Sequence, residues 1–157
     1  MEKNIVYHES NVEVSIPRIL QNGFYKDFGY GFYCTSFEKQ AKRWAMTRKG
    51  ASVVNHYEYT RNTELKILTF NEMTDEWLDF VADCRRGIEH SYDIVEGPMA
   101  DDTIFNYVQN FVDGKISREA FWNLAKFKKP THQISFHTAR ALTTLSFLKG
   151  IEVTDHE

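Results

Sequence analysis

Four side chains in this sequence combine a reactive type with a suggestive position, and three of them lie on predicted strands. His8 closes the apolar run Ile5-Val6-Tyr7. Tyr33 sits within Gly31-Phe-Tyr-Cys-Thr35, a stretch of aromatic and β-favouring residues, and Trp44 follows eleven residues later. Gln133 opens Gln-Ile-Ser-Phe136, where strand alternation puts Gln133, Ser135 and His137 on one face and Ile134 and Phe136 on the other. An imidazole can donate and accept hydrogen bonds, and an amide can do so without carrying charge. Two aromatic rings can stack on a planar cation, each contact being worth roughly 0.5–2 kcal/mol. Taken singly, each residue has a plainer reading: a structural histidine, two core aromatics and an ordinary strand amide.

The remaining reactive types suggest less. His56, His90, His132, His137 and His156 have no mutual spacing of the kind zinc needs. Cys34 and Cys84 each fall inside a predicted regular element, and no His or Asn can be placed against Cys34 to make it a nucleophile. The acidic pair Asp101-Asp102 is the complement expected at a helix start. Gly29-Tyr30-Gly31 leads into a strand and is not the Gly-x-Gly-x-x-Gly turn of a dinucleotide-binding βαβ unit. The phosphate loop, His-Glu-x-x-His and Gly-x-Ser-x-Gly are all absent from the sequence.

The elements that must position these residues alternate between strand and helix. Residues 4 to 8 read as a strand; Ser15 then reads as an N-cap, Pro17 suits a first helical turn, and Gly23 ends that helix. After the strand Gly31–Thr35, Ser36 caps a helix with Phe37, Ala41, Trp44 and Ala45 on one face and Lys42, Arg43, Arg48 and Lys49 on the other. Residues 52 to 60 and 65 to 70 read as neighbouring strands, and 75 to 86 as a helix capped by Thr74. A short strand spans 92 to 95 and is broken by Gly97-Pro98. Helices follow after Asp102 and after Ser117, then a strand at 133 to 137. Thr138 caps a last helix carrying Ala141, Leu142, Leu145 and Leu148 as far as Gly150, with 151 to 157 a weak strand or tail. Strands split between start, middle and end predict a mixed α+β domain instead of a doubly wound parallel sheet.

Composition sets outer limits. A chain of 157 residues that is 42% hydrophobic is read as one domain, 1–157. Its 19 basic and 22 acidic residues give a formal charge of −3, with Lys126, Lys128 and Lys129 the densest basic cluster, unlike the stripe of a dedicated nucleic-acid binder. Two cysteines and no apolar run near the ~18 residues of a membrane span lead to the expectation of a reduced, cytoplasmic protein without a membrane partner.

In order and context, Tyr7-His8-Glu9-Ser10, Gly29-Tyr-Gly-Phe-Tyr33-Cys-Thr35, Trp44 and Gln133 resemble the ADP-ribosyltransferases of the His-Tyr-Glu type. The resemblance runs from about Ile5 to about Leu148 and implies a split mixed β-sheet core with flanking helices. It implies NAD as substrate and no metal. His8 would hold the adenine ribose, Glu9 the nicotinamide carboxamide through its backbone with Ser10 beside it, and Tyr33 and Trp44 the nicotinamide ring. His8, Tyr33 and Gln133 would be the catalytic set. Two positions depart from the pattern: Glu9 stands where the family has glycine, and Gln133 where it has the glutamate that stabilises an oxocarbenium-like transition state. An amide keeps the hydrogen-bonding shape and gives up the charge, which goes with transfer of single ADP-ribose units and less electrostatic stabilisation.

The segment Tyr92–Asp102 further resembles an uncharacterised bacterial family of the same clan, whose members are thought to sit beside small antitoxin-like partners. The resemblance thus implies a mono-ADP-ribosyltransferase with a protein or nucleic-acid acceptor. A non-catalytic NAD or ADP-ribose-binding module, and an RNA 2′-phosphotransferase-like enzyme, are the alternatives it leaves open.

Overall fold

The structure is a computed structural model describing residues 3–19, 27–47, 50–100, 102–126, 128 and 130–153. Its elements, in chain order, are β1 (Lys3–Ser10), β2 (Phe32–Cys34), α1 (Glu38–Thr47), β3 (Ser52–Thr60), β4 (Ile67–Thr69), α2 (Asp75–Arg85), β5 (Ile94–Met99), α3 (Asp102–Val112), α4 (Arg118–Ala125), β6 (Thr131–Phe136), α5 (Ala139–Leu142) and β7 (Leu145–Val153). This is an α+β fold with two sheets. One has the order β1-β3-β7 and is antiparallel throughout; the other has the order β2-β6-β5-β4, with only β4 and β5 parallel. Between the sheets runs a core of Val6, Tyr57 and Leu145 from the first and Phe32, Cys34, Ile94, Ile134 and Phe136 from the second. The outer face of the second sheet is covered by a separate cluster that includes Trp77, Leu78 and Val81 of α2, Ile104 and Val108 of α3, and Phe121 and Ala125 of α4. No helix among the described residues is long and apolar enough to cross a membrane.

The local signals that hold are the caps. Thr74, Ser117 and Thr138 each accept a backbone N–H three residues on, so α2, α4 and α5 begin where their hydroxyls satisfy an otherwise unpaired donor. Asp75 and Glu76 occupy the first turn of α2, whose positive end favours them. At α1 it is the Thr35 hydroxyl, not Ser36, that receives a backbone N–H, from Phe37 at 3.1 Å. Phe37, expected to face inward, is 53% exposed, while Gln40 is buried beside Ala41 and Ala45.

Four expectations are corrected. Residues 15–19 form no helix, and Leu20–Gly23 lie outside the described residues. Just before them the backbone of Val14 is already committed: its N–H goes to Asn55 Oδ1 at 2.9 Å and its C=O accepts from the Tyr57 hydroxyl, pinning this stretch along β3. Second, β3 and β4 are not neighbours. Both edges of β3 are taken, by β1 and β7, and β4 crosses into the other sheet. Third, Gly97-Pro98 does not break the chain, because β5 runs on to Met99 against β6. Its pairing with β4 ends at Glu96, so the missing N–H of Pro98 costs no ladder bond there. Gly97 is required because a Cβ would come within 2.9 Å of Phe70 Cβ.

Finally, the helix from Thr138 stops at Leu142, and 145–153 become strand. The hydroxyls of Thr143 and Thr144 bond back to Arg140 O and Ala141 O, each at 2.6 Å, which closes the turn, and the open edge of β3 then takes Leu145 onward.

Candidate functional site at the seam between the sheets

Among the described residues a single bridge joins β1 to the end of β2. The N–H of Tyr7 reaches Thr35 O at 2.8 Å and the N–H of Thr35 reaches Tyr7 O at 2.9 Å. Beyond it the sheets part, and His8, Glu9 and Ser10 lie on β1 at that parting. The His8 ring stacks on Phe32 at 4.1 Å between centroids, and its Nδ1 lies 2.6 Å from the carbonyl oxygen of Tyr33. A carbonyl can only accept, so Nδ1 carries the proton and Nε2 is the acceptor of the neutral ring. The His8 carbonyl points the other way, to Asn55 Nδ2 at 3.3 Å. Backbone alternation therefore turns the N–H and C=O of Glu9, like those of Tyr7, out of the β3 ladder and toward the seam. The Ser10 hydroxyl receives the Val12 N–H at 3.4 Å and shapes the turn after β1.

Tyr33 faces the opposite side of β2. Its hydroxyl donates to Gly29 O and accepts the N–H of Phe28 at 3.1 Å, and burial pushes the phenol well above its ordinary range. These bonds turn the ring toward the cluster under α2–α4. Trp44 sits half-buried on α1, whose Ala41 and Ala45 pack on Val54 of β3. Among the described residues no direct ring contact joins Tyr33 to Trp44.

Gln133 lies on the same face of β6 as Ser135, as alternation predicts, yet that face is covered. Gln133 is 2% exposed, and its Nε2 donates to Asp27 Oδ2 at 3.1 Å. The same Oδ2 takes the N–H of Ala100 at 2.7 Å, and Oδ1 takes Arg85 Nη2 at 2.8 Å. Cys34 is buried in the core between the sheets, and burial raises its thiol well above the ordinary value, which fits a strand residue and no nucleophile.

The segment Asp27–Gly31 is a hub whose long-range partners the sequence did not reveal: at its start Asp27 binds Gln133, Arg85 and Ala100. His90 Nε2 donates to Phe28 O at 2.9 Å, and His90 Nδ1 accepts the Tyr92 N–H at 3.1 Å. His137 Nδ1 donates to Tyr30 O at 2.7 Å, and its Nε2 lies 2.7 Å from the Ser135 hydroxyl. Gly29 has φ +86°, and a Cβ on Gly31 would come within 2.9 Å of the His137 ring, so both glycines are dictated by the turn. Side chains from α2, the 88–92 loop, β6 and its end thus fix one five-residue segment against the seam. Asp27 is the one partner with a sequence signal, an acid opening Asp-Phe-Gly-Tyr-Gly; Arg85 reads in sequence only as a basic helix end.

A concavity of about 430 Å³ lies where β5 ends and β6 begins, lined in part by Pro98, Trp122, Lys126, Lys128 and His132. None of the seam residues lines it.

His8 in a fixed tautomer and a strand backbone turned toward the seam are suited to hydrogen-bonding a polyhydroxylated ligand, and no contact among the described residues joins Gln133 to them. No curated protein matches the chain. A family model does match it, over residues 4–147, described as "Protein of unknown function (DUF3990)". That span takes in β1 through the start of β7 and every residue of the seam, and the chain belongs to the DUF3990 family.

Proposed function

We propose that the seam binds NAD and that the protein transfers single ADP-ribose units from it. The observation that carries the reading is the pairing of His8 with Glu9: an imidazole whose Nδ1–H is committed to Tyr33 O, beside a backbone turned out of its own sheet toward the same seam. In that reading His8 Nε2 accepts from a ribose hydroxyl, and the Glu9 backbone pairs with the carboxamide, which needs one donor and one acceptor side by side. Gln133 accepts a hydroxyl of the reacting ribose, and Tyr33 and Trp44 frame the nicotinamide end. Tyr33 does so partly by holding Phe28 and Gly29. Cleavage breaks the nicotinamide–ribose C–N bond, the electron pair leaves with neutral nicotinamide, and an acceptor nucleophile on protein or nucleic acid attacks the cationic sugar carbon and releases its proton to solvent. The resemblance also implies a small antitoxin-like partner.

The test is incubation of the protein with NAD labelled in its adenylate part and a cell lysate, beside calorimetric NAD titration of the native chain and of His8→Ala. Transfer to protein or nucleic acid, abolished in His8→Ala, is the expected result. Label appearing only as free ADP-ribose would make the protein a hydrolase. Absence of NAD binding by the native chain would overturn the reading.

A second reading, an NAD or ADP-ribose binder without turnover, is favoured by one observation: Gln133 is uncharged and 2% exposed. Binding without product would select it.

A further inference from the structure

Gln133 is the position at which a neutral amide stands where charge would help most, so how that amide is held decides what it can do. A primary amide has two ends of nearly equal shape and opposite hydrogen-bonding sense, and an amide free to flip presents a donor as readily as an acceptor. Here the flip is blocked. The nitrogen lies 3.1 Å from Asp27 Oδ2, and a carboxylate oxygen can only accept. Were the amide reversed, two acceptor oxygens would face each other in a buried site.

Asp27 is itself held from three sides. Ala100 N–H reaches Oδ2 at 2.7 Å, and Arg85 Nη2 reaches Oδ1 at 2.8 Å. Arg85 is anchored in turn, with Nη1 on Phe105 O at 3.1 Å and its guanidinium carbon 4.1 Å from the centre of the Phe105 ring. Its side chain is 0% exposed and that of Asp27 6%, so the pair cannot relax toward water. Among the described residues Gln133 Oε1 has no hydrogen-bond donor, and it is not one of the fully buried unpartnered atoms, which are Tyr59 OH, Arg85 Nε and His132 Nδ1.

We propose that Asp27 is a positioning residue that locks the Gln133 amide with its oxygen, and not its nitrogen, turned to the reacting sugar. The oxygen so presented does what one oxygen of a carboxylate would do, accepting a hydroxyl proton, while the charge resides on Asp27 one hydrogen bond away. This rests on the reading of Gln133 as a residue of the NAD site. Its consequence is specific. Restoring a carboxylate at 133 alone sets it against Asp27 at hydrogen-bond distance, and two carboxylates that close share a proton and do not both ionise. The Arg85–Asp27–Gln133 set is neutral in sum, and it stays neutral when Asp27→Asn and Gln133→Glu are made together. The charge can therefore be moved to position 133 only by changing both residues.

The experiment measures side-chain amide exchange and NAD turnover in the native chain and in Asp27→Asn, Gln133→Glu and the double variant. In ¹⁵N-labelled protein the Gln133 amide signal, identified by its loss in Gln133→Glu, is expected to be protected from exchange, and Asp27→Asn to lower that protection about tenfold. Asp27→Asn should lower kcat for NAD cleavage about tenfold to a hundredfold while leaving KM for NAD within about twofold. A stabilising role alone would not produce that split. Gln133→Glu should show a carboxyl titrating above the ordinary range in ¹³C spectra, and the double variant should return it to that range.

If Asp27→Asn does not fold, the comparison of Gln133→Glu with the double variant decides alone. An unchanged amide signal in Asp27→Asn, or identical carboxyl titration in Gln133→Glu and the double variant, would overturn the proposal. A native chain that neither binds nor cleaves NAD defeats the transferase reading instead, and the amide signal still reports whether Asp27 sets Gln133.

Discussion

At the scale of single residues, Tyr33 shows how a motif can be legible while its physical task is not. The aromatic stretch around it identifies a strand and the spacing to Trp44 suggests a stacking pair, and in the structure the Tyr33 hydroxyl bridges Phe28 N–H and Gly29 C=O while Trp44 rides on α1. Tyr33→Phe removes one partner from each of those backbone groups and keeps the ring. Leaving a buried donor or acceptor unsatisfied costs about 1–3 kcal/mol, so the variant should lose about 2 kcal/mol in urea denaturation at unchanged slope. A loss under about 0.5 kcal/mol would mean that water replaces the hydroxyl and that the turn holds itself. His8 could be placed on a strand because the apolar run before it is local. The partners of Asp27 could not be read, because Arg85, Ala100 and Gln133 lie 58, 73 and 106 residues away, separations that no periodicity reports.

At the scale of elements, three hydroxyl caps stand as read, while the helix read from Ser15 and Pro17 does not form over 15–19 and the cap of α1 falls to Thr35 instead of Ser36. The hydroxyl caps of α2, α4 and α5 are local, and they stand where the sequence puts them. The pattern Ala141, Leu142, Leu145, Leu148 fits a helix as well as Leu145 and Phe147 fit a strand, and only the unfilled edge of β3 decides between them. What fixes α5 so that β7 can begin is Asp93, 2% exposed. Its Oδ1 takes the Thr138 hydroxyl at 2.6 Å and Arg140 Nε at 2.9 Å, and its Oδ2 takes Arg140 Nη2 at 2.7 Å and the Lys66 N–H at 2.9 Å. The hydrogen bond from Arg140 comes first among the causes that hold its carboxyl well below the ordinary range. A carboxyl depressed in the folded state stabilises above its unfolded pKa and loses that contribution as pH falls through the folded one. Arg140 is 61% exposed, which weakens its share through solvent screening. Asp93→Asn should therefore cost about 2 kcal/mol at pH 7, and the gap to the native chain should narrow only below about pH 4. A gap that stays constant down to pH 2 would assign the loss to packing.

At the scale of the whole molecule, two sheets share one core, and the α+β class was readable because strand segments recur at the start, middle and end of the chain. How the sheets part at Tyr7–Thr35 was not readable, since one bridge among many strand residues leaves no mark in composition. The segment Asp27–Gly31 ties that seam to the helical side, and two of its anchors are imidazoles whose charged form burial disfavours. His137 gives Nδ1–H to Tyr30 O and meets Ser135 at Nε2; its ring touches Tyr33, and the one titratable imidazole beside it is His90, at 4.5 Å between centroids. Burial, opposed in part by the hydrogen bond to Tyr30, lowers His137 to about 4, and burial lowers His90 as well. The sign follows from the protons. The unfolded chain takes up a proton at each imidazole below about pH 6.5, while in the folded chain His137 resists until near pH 4 and His90 is also held below its ordinary value, so the unfolded state gains as acid is added. Stability should be full above about pH 6.5 and fall between pH 6.5 and 4, by roughly 3 kcal/mol from His137 with a smaller part from His90, before Asp93 begins to protonate. Urea denaturation midpoints measured across that range should trace the fall, and His137→Gln, which cannot titrate, should start less stable and show a distinctly shallower slope. A native profile flat from pH 7 to 4.5 would show that water reaches these imidazoles and that segment 27–31 is not held by neutral histidines.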